Sequence, residues 1–243
     1  MPAQRPIWSG NNGCLRPQRS VEFRCKSCLR GSPLAQIYAN HAVANRYLID
    51  KYENSNENEK REGMEWYSEA HGFCASLAAL NEIDLERVAA VVSVLSPRNK
   101  WSRNKLDAQT LIEAKLAGRD MDSFSVCTFT GNKRRAWELL GRGDSFDPDE
   151  FFKGLKTRCF WDNIVFPDSE RVTIDTWAAR AAYQTLGNWQ RSIGRPEYCR
   201  LEKQYQSSAG IVGLTPKSFQ AVVWVRTRNE LQKEKKEHAK LNN

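Results

Sequence analysis

Apolar residues recur at intervals of three and four along most of the chain, a spacing typical of amphipathic helices. Residues 85–96 are apolar on nearly every side, which predicts a buried helix at the core of its domain. Two β-rich runs, residues 125–130 and 171–174, are too short to build a sheet. The pattern therefore predicts an all-α protein without internal repeats. The predicted helices are 34–53, 64–80, 85–96, 101–115, 132–140, 148–153, 156–166, 175–187, 196–211 and 216–240.

Capping signals support several of these boundaries. Asp84 stands where a helix N-cap is expected, and Pro148 suits the first turn of a helix because its missing N–H costs nothing there. Gly118 and Gly141 are suited to end the helices that precede them. Residues 1–33 hold several glycines and prolines without lasting periodicity, so we expect an irregular arm without its own core.

Charge and composition narrow the function. The 243 residues carry a net charge of +8, concentrated in residues 1–33 and 217–243. This excess favours a polyanionic partner, with nucleic acid the leading candidate. No apolar run approaches a membrane span, and the first residues lack the apolar core of a signal peptide. We therefore expect a soluble intracellular protein, cytoplasmic or nucleoid-associated, with no membrane partner.

Cysteine and histidine usage predicts neither a disulfide scaffold nor a catalytic metal. Seven cysteines include only one CxxC pair, so reduced thiols are expected. The histidines show no HxH or HExxH spacing, and we assign no metal and no cofactor. Zinc binding by Cys14, Cys25 and Cys28 with a fourth ligand such as His41 is left open, although free thiols are the favoured interpretation.

The most informative region is residues 148–180, which predicts a helix, a turn containing Gly154, a second helix, a link, and Asp175 opening another helix. This order resembles the helix-hairpin-helix DNA glycosylases of the endonuclease III superfamily. Residues 154–157 (GLKT) resemble the second half of the family's hairpin, and residues 172–176 (VTIDT) resemble its aspartate segment. The lysine and aspartate are 19 residues apart, as the family's arrangement requires.

The resemblance extends over residues 84–186, since the segment around LSPRNKW is similar to the end of the family's first barrel helix. It implies a two-lobed helical fold. Residues 84–168 would form a barrel domain with the hairpin, and residues 34–83 plus 169–243 would form the second lobe. The basic arm, residues 1–33, would precede them.

The same resemblance implies a role for each matched residue. Lys156 would be an amine nucleophile that forms a Schiff base, and Asp175 would stabilise positive charge on the sugar. A buried or cation-flanked lysine would be needed, because an ordinary lysine is protonated. The hairpin would bind a DNA phosphate, and the loop after the first barrel helix would supply the wedge and basic contacts. The DNA-binding candidates are Gly154, Leu155, Thr157, Arg98, Asn99, Lys100, Trp101, Arg103, Lys133 and Arg134.

Plainer interpretations stand beside these roles. Asp175 could only cap a helix, Lys156 could be an ordinary solvated lysine, and Trp101 could pack rather than insert into DNA. The chain also departs from the family pattern. Phe152 stands where the first hairpin glycine would fall, and Trp177 replaces a frequent histidine. An iron-sulfur cluster is excluded because Cys199 is the only cysteine after position 159.

The sequence thus predicts a monomeric DNA glycosylase acting on duplex DNA by base flipping, with an associated abasic-site lyase activity. Two alternatives stay open. One is a superfamily relative that acts on hypermodified DNA bases, and the other is a DNA-binding module without catalysis. The identity of the recognised base is not predicted.

Overall fold

The computed structural model describes residues 44–143, 146–185 and 192–241. Regular structure in these ranges is helical and no strand occurs among them, which confirms the all-α prediction. A 3₁₀ turn, Met121–Ser123, lies between α4 and α5. The α-helices are α1 (Arg46–Glu53), α2 (Glu57–Asn81), α3 (Leu85–Leu95), α4 (Trp101–Leu116), α5 (Thr130–Gly141), α6 (Pro148–Phe151), α7 (Leu155–Val165), α8 (Thr176–Ala182), α9 (Arg195–Val212) and α10 (Pro216–Leu241).

Helix α2 begins two turns earlier than the predicted Met64. Asn56 caps it through a reciprocal pair of hydrogen bonds with Glu59: each backbone N–H donates to the other residue's side chain at 3.0 Å. Because the first turns are almost entirely polar, they carry no apolar spacing. The capping box is the sequence signal that would have placed this start.

Other boundaries follow the prediction closely. Asp84 precedes α3, whose residues 87–95 are all buried. Gly118 follows α4 with a φ of 65°, in the left-handed region that glycine adopts without strain. Helix α8 is shorter than predicted, ending at Ala182, and Gln184 has a φ of 51° just beyond it.

Buried hydrophobic side chains form two clusters. In the first, α3 is the central helix and packs against α2, α4, α5 and α7. In the second, α10 packs against α1, α8 and α9, and residues 172 and 174 of an extended segment lie inside. Helices α7 and α10 contribute residues to both clusters. The buried hydrophobic residues of α2 belong to the first cluster, together with those of α3. The division into 84–168 and 34–83 plus 169–243 stays a prediction.

Helices α2 and α10 approach each other very closely at Gly63. A Cβ atom added there would lie 2.4 Å from the Cα of Val222. Only glycine permits this contact, since a methyl group would collide with backbone rather than with a movable side chain. The contact fixes which residues of the two helices meet on either side of it.

Several predictions concern residues outside the described ranges. The arm, residues 1–33, lies there with its Cys14, Cys25 and Cys28. His41 also lies there. The expectation that thiols are reduced is wrong for Cys199, which is disulfide-bonded. Disulfide formation depends on Cα spacing in three dimensions, which the sequence does not contain. Within the described part of the chain, no helix is both long and apolar enough to span a bilayer.

Candidate functional site

A cavity of about 500 Å³ is lined by the loop after α3 and by the first residues of α7, α8 and α9. Lys156 and Asp175 both line it, so the structure brings together the two residues that the sequence proposed as partners. Its volume is within the range of small-ligand sites. The described residues that line it are Pro97, Arg98, Lys153, Gly154, Leu155, Lys156, Ile174, Asp175, Thr176, Ser192, Ile193, Arg195 and Tyr198.

Lys156 lies in the first turn of α7 and is partly buried. Its Nζ is 3.5 Å from the hydroxyl oxygen of Ser96, at the end of α3. Burial lowers the pKa of Lys156, while the charge of Asp175 acts in the opposite direction and is the weaker influence. A lowered pKa leaves more of the amine neutral, as a nucleophile requires.

Asp175 is the N-cap of α8, as the plainer interpretation of the sequence held. Its Oδ1 accepts a hydrogen bond from the backbone N–H of Ala178 at 2.8 Å. Its Oδ2 accepts one from the indole Nε1–H of Trp224 at 3.2 Å. The capping role and the cavity position coexist, because an ionised carboxylate offers about four acceptor positions and these bonds use two.

Side-chain hydrogen bonds hold the extended segment that leads into Asp175. The hydroxyl of Tyr198 donates to the carbonyl of Val172 at 2.8 Å and accepts from the N–H of Ile174 at 3.0 Å. The buried Glu202 accepts from the N–H of Val172 at 3.1 Å and pairs with Arg171 at 3.0 Å. Burial raises the pKa of Tyr198 well above its usual value, so this hydroxyl keeps its proton.

A second buried group holds the same segment from the side of the first cluster. Thr173 Oγ1 lies 2.9 Å from the hydroxyl of Tyr67 and 3.2 Å from Nδ2 of Asn163. Burial raises the pKa of Tyr67 to about 12. The segment therefore replaces the missing hydrogen bonds of a sheet with bonds to buried side chains, which explains how an isolated extended run survives inside a helical protein.

The turn before α7 leaves its helix N-terminus open. Gly154 is the N-cap and supplies no side-chain bond, and Lys153 beside it is exposed. A Cβ at Gly154 would meet nothing nearer than 3.8 Å, and its φ of −122° suits any residue. The fold therefore does not require glycine at position 154. The lack of a side chain there would matter only to a ligand that approaches the N-terminus of α7 from solvent. Phe152 packs on Trp161, which accounts for the missing first glycine.

Arg98 has a strained backbone and an exposed aromatic neighbour. Its φ of 59° is unfavourable for a residue with a Cβ, and such strain is concentrated at functional sites. The guanidinium carbon lies 5.1 Å from the centre of the Phe129 ring, and Phe129 is 50% exposed. Together they present a cation and an aromatic face beside the cavity.

A buried carboxylate joins the loops that carry Arg98 and Phe129. Asp107 accepts hydrogen bonds from Nδ2 of Asn99 at 2.8 Å, from Nε of Arg103 at 2.7 Å and from the N–H of Cys127 at 2.8 Å. Asn99 and Arg103 thus act within the protein, and Arg103 keeps about half of its side chain exposed. The carboxylate stabilises the loop bases while the loop tips face outward.

Lys133, one of the DNA-binding candidates, lies inside the protein rather than on its surface. It is only 9% exposed, and its Nζ donates to the carbonyls of Met121, at 2.5 Å, and of Phe124. The Lys133 ammonium therefore binds carbonyls at both ends of the 3₁₀ turn. Arg134, the next DNA-binding candidate along the chain, is exposed.

Trp101 is the first residue of α4 and is partly buried rather than extended into solvent. Its ring centre lies 5.7 Å from that of Trp66, 6.1 Å from Phe73 and 6.3 Å from Phe160. These contacts favour the packing interpretation over a wedge. Lys100, immediately before it, is exposed.

Three functional candidates escaped the sequence analysis. Lys153 and Arg195 line the cavity, and Phe129 lies under Arg98. The described lining residues thus include four basic side chains and one acidic side chain, which favours an anionic ligand. The sequence held a weak signal for Phe129, because this large apolar residue precedes α5 and does not fit the apolar spacing of that helix. Arg195 carried none.

Among the described residues, no group of three potential metal ligands occurs. The fold and the site define an all-helical protein with a basic cavity that pairs one amine with one carboxylate. Over residues 35–231 the chain matches DUF7178, a family of unknown function, and it belongs to that family. No curated protein and no solved structure matches the chain.

Proposed function

We propose that this protein is a DNA glycosylase with an associated abasic-site lyase activity. The observation that carries the proposal is the cavity that Lys156 and Asp175 share. An extruded nucleotide needs such a cavity, because its sugar must reach both groups at once. The helix-hairpin-helix resemblance supplies the reaction class, and the cavity supplies the geometry that the reaction needs.

The proposed chemistry begins with the bond between the base and C1′ of the sugar. As that bond breaks, its electron pair leaves with the base and positive charge develops at C1′, where the Asp175 carboxylate stabilises it. The neutral Lys156 amine then adds its lone pair to C1′ and forms a Schiff base after opening of the sugar ring. Loss of a proton from C2′ expels the 3′ phosphate, and water releases the enzyme.

The duplex would be held by the hairpin of α6 and α7 and by the loop after α3. The first backbone N–H groups of α7, at Leu155, Lys156 and Thr157, have no side-chain cap and suit a phosphate oxygen. Lys153 and Arg195 add positive charge beside them. Contacts of this kind fix the register of the duplex without reading its sequence.

Arg98 and Phe129 suit the gap that an extruded nucleotide leaves. The aromatic face is exposed, the cation is stacked on it, and both loops are held at their bases by Asp107. Apolar side chains inserted between base steps are a known way to bend and open a duplex. Arg98 belongs to the loop that the sequence proposed as the wedge, and Phe129 supplies the exposed aromatic ring that Trp101 does not. Lys100 and Arg134 are left as phosphate contacts. The proposed substrate complex is one protein monomer on one duplex.

Borohydride trapping tests the proposal. A Schiff base between Lys156 and an abasic duplex is reduced to a stable covalent adduct, which a denaturing gel resolves. We expect an adduct with the wild-type protein and with Lys203→Ala, an exposed lysine on α9, and none with Lys156→Ala. Release of free base is scored separately across duplexes that each carry one altered base.

The outcomes separate the alternatives. Salt-sensitive duplex binding without adduct or base release would favour a binding module and overturn the enzyme proposal. Altered base substituents with the glycosidic bond intact would favour the relative that acts on hypermodified bases. Adduct formation that survives Lys156→Ala would remove Lys156 from the mechanism.

A further inference from the structure

We infer that Trp224 is a positioning residue for the Asp175 carboxylate, a role that rests on the proposed function. Its indole Nε1–H donates to Oδ2 of Asp175 at 3.2 Å. The other carboxylate oxygen is held by the backbone of α8, so the two bonds together fix the plane of the group. Among the described residues, no other side chain donates a hydrogen bond to this carboxylate.

The indole ring is itself held from two sides. Its centre lies 5.0 Å from that of Trp66 on α2, and the Arg228 guanidinium carbon lies 5.1 Å from the ring centre. Arg228 is anchored in turn by Glu62, with N–O distances of 2.8 and 3.0 Å. A ring fixed in this way directs its N–H at one target, the carboxylate of Asp175.

The close approach of α2 and α10 explains why these rings meet. Gly63 allows the helix backbones to touch at Val222, and Trp66 and Trp224 lie one turn or less away on each helix. An indole N–H is a donor only, so it holds a carboxylate oxygen as an acceptor at a fixed position. The proposed transition state needs a carboxylate held near C1′.

Trp224→Phe separates positioning from packing. Phenylalanine keeps an aromatic ring beside Trp66 but removes the donor. We expect roughly tenfold slower base release, since a hydrogen bond to a charged group is lost, with duplex affinity and borohydride trapping on a preformed abasic site unchanged. On a preformed abasic site the base is already gone, so trapping needs the Lys156 amine but not the step in which the Asp175 charge assists base loss. Trp137→Phe, in the first cluster, is the matched control.

A double-mutant cycle with Asp175→Asn tests whether Trp224 acts through the carboxylate. In the Asp175→Asn background, Trp224→Phe should cause no further loss of base release. Equal losses in both backgrounds, or an equal loss of trapping and base release, would overturn the inference. A general effect on folding would produce that second pattern.

A measurement independent of activity keeps the inference distinct from the proposed function. In an assigned ¹H–¹⁵N spectrum, Asp175→Ala should shift the indole N–H resonance of Trp224 upfield by more than any other indole. An unmoved resonance in a protein that does release bases would overturn the positioning role and leave the glycosylase standing. A shifted resonance in a protein without base release or trapping would overturn the glycosylase, and the positioning role with it.

Discussion

Two irregular segments meet at the cavity, and they are held in opposite ways. The segment before Asp175 is buried; side chains from α9 bind its backbone, and side chains from α2 and α7 bind the hydroxyl of Thr173. The loop that carries Arg98 is tied at its base by Asp107, and its tip is exposed. The Asp175 carboxylate is therefore held in a precise position, whereas the Arg98 guanidinium can adjust its position. A reacting group must hold its position to within a fraction of an ångström, whereas a phosphate contact tolerates more movement.

The largest expected effect comes from removing the loop anchor. Asp107→Ala removes a buried carboxylate and leaves three part-buried donors without their acceptor, which should lower the free energy of unfolding by about 3 kcal/mol. Urea unfolding measures it. Glu59→Ala is the matched control, because Glu59 is also buried and accepts from Asn56, Arg226 and Asn229. Both variants should lose stability, and only Asp107→Ala should also weaken duplex binding. Equal duplex affinity in the two variants would contradict the anchoring role.

The next effect concerns the buried segment. Tyr198→Phe leaves the carbonyl of Val172 and the N–H of Ile174 unpaired, at a cost of about 2 kcal/mol of stability. Base release should fall while duplex affinity stays unchanged. Tyr205→Phe is the control, since its equally buried hydroxyl donates to Ala178, in α8. If both variants retained full base release, precise positioning of the segment would not matter for the reaction.

Arg98 tests the exposed loop. Arg98→Gly removes one cation and also relieves the positive φ, so stability should be unchanged or higher by up to about 1 kcal/mol. Duplex binding should weaken, and the slope of log affinity against log salt should become shallower by about 1. Lys203→Ala should leave the slope unaltered. A steep, unchanged slope in Arg98→Gly would place Arg98 away from the duplex.

The smallest effect is a gain of stability. Because burial lowers the pKa of Lys156, the folded protein binds its proton less tightly than the unfolded chain does. Folding therefore carries a penalty at neutral pH that disappears above the ordinary lysine pKa. Lys156→Met should raise the free energy of unfolding at pH 7, with the gain vanishing above the ordinary lysine pKa, and it should abolish trapping. A loss of stability at pH 7 would contradict the burial argument.

Local patterns predicted the helices well and the roles of single charges less well. Spacing and caps located α3, α4 and α9 within a residue or two, because those signals are local. The burial of Lys133 was not foreseen, since its carbonyl partners lie at a 3₁₀ turn that no periodicity reveals. Lys156 and Asp175 were found through motif order, whereas Trp224 depends on two helices touching at Gly63, a tertiary fact.

The most direct test of the shared cavity is the pH dependence of trapping on a preformed abasic duplex. Only the neutral amine reacts, so trapping rises with pH through the pKa of Lys156, and the Asp175 charge raises that pKa. Asp175→Asn should therefore move the midpoint of trapping to lower pH, while Asp149→Asn, on α6, should not. An unchanged midpoint in Asp175→Asn would show that the amine and the carboxylate do not act in one site.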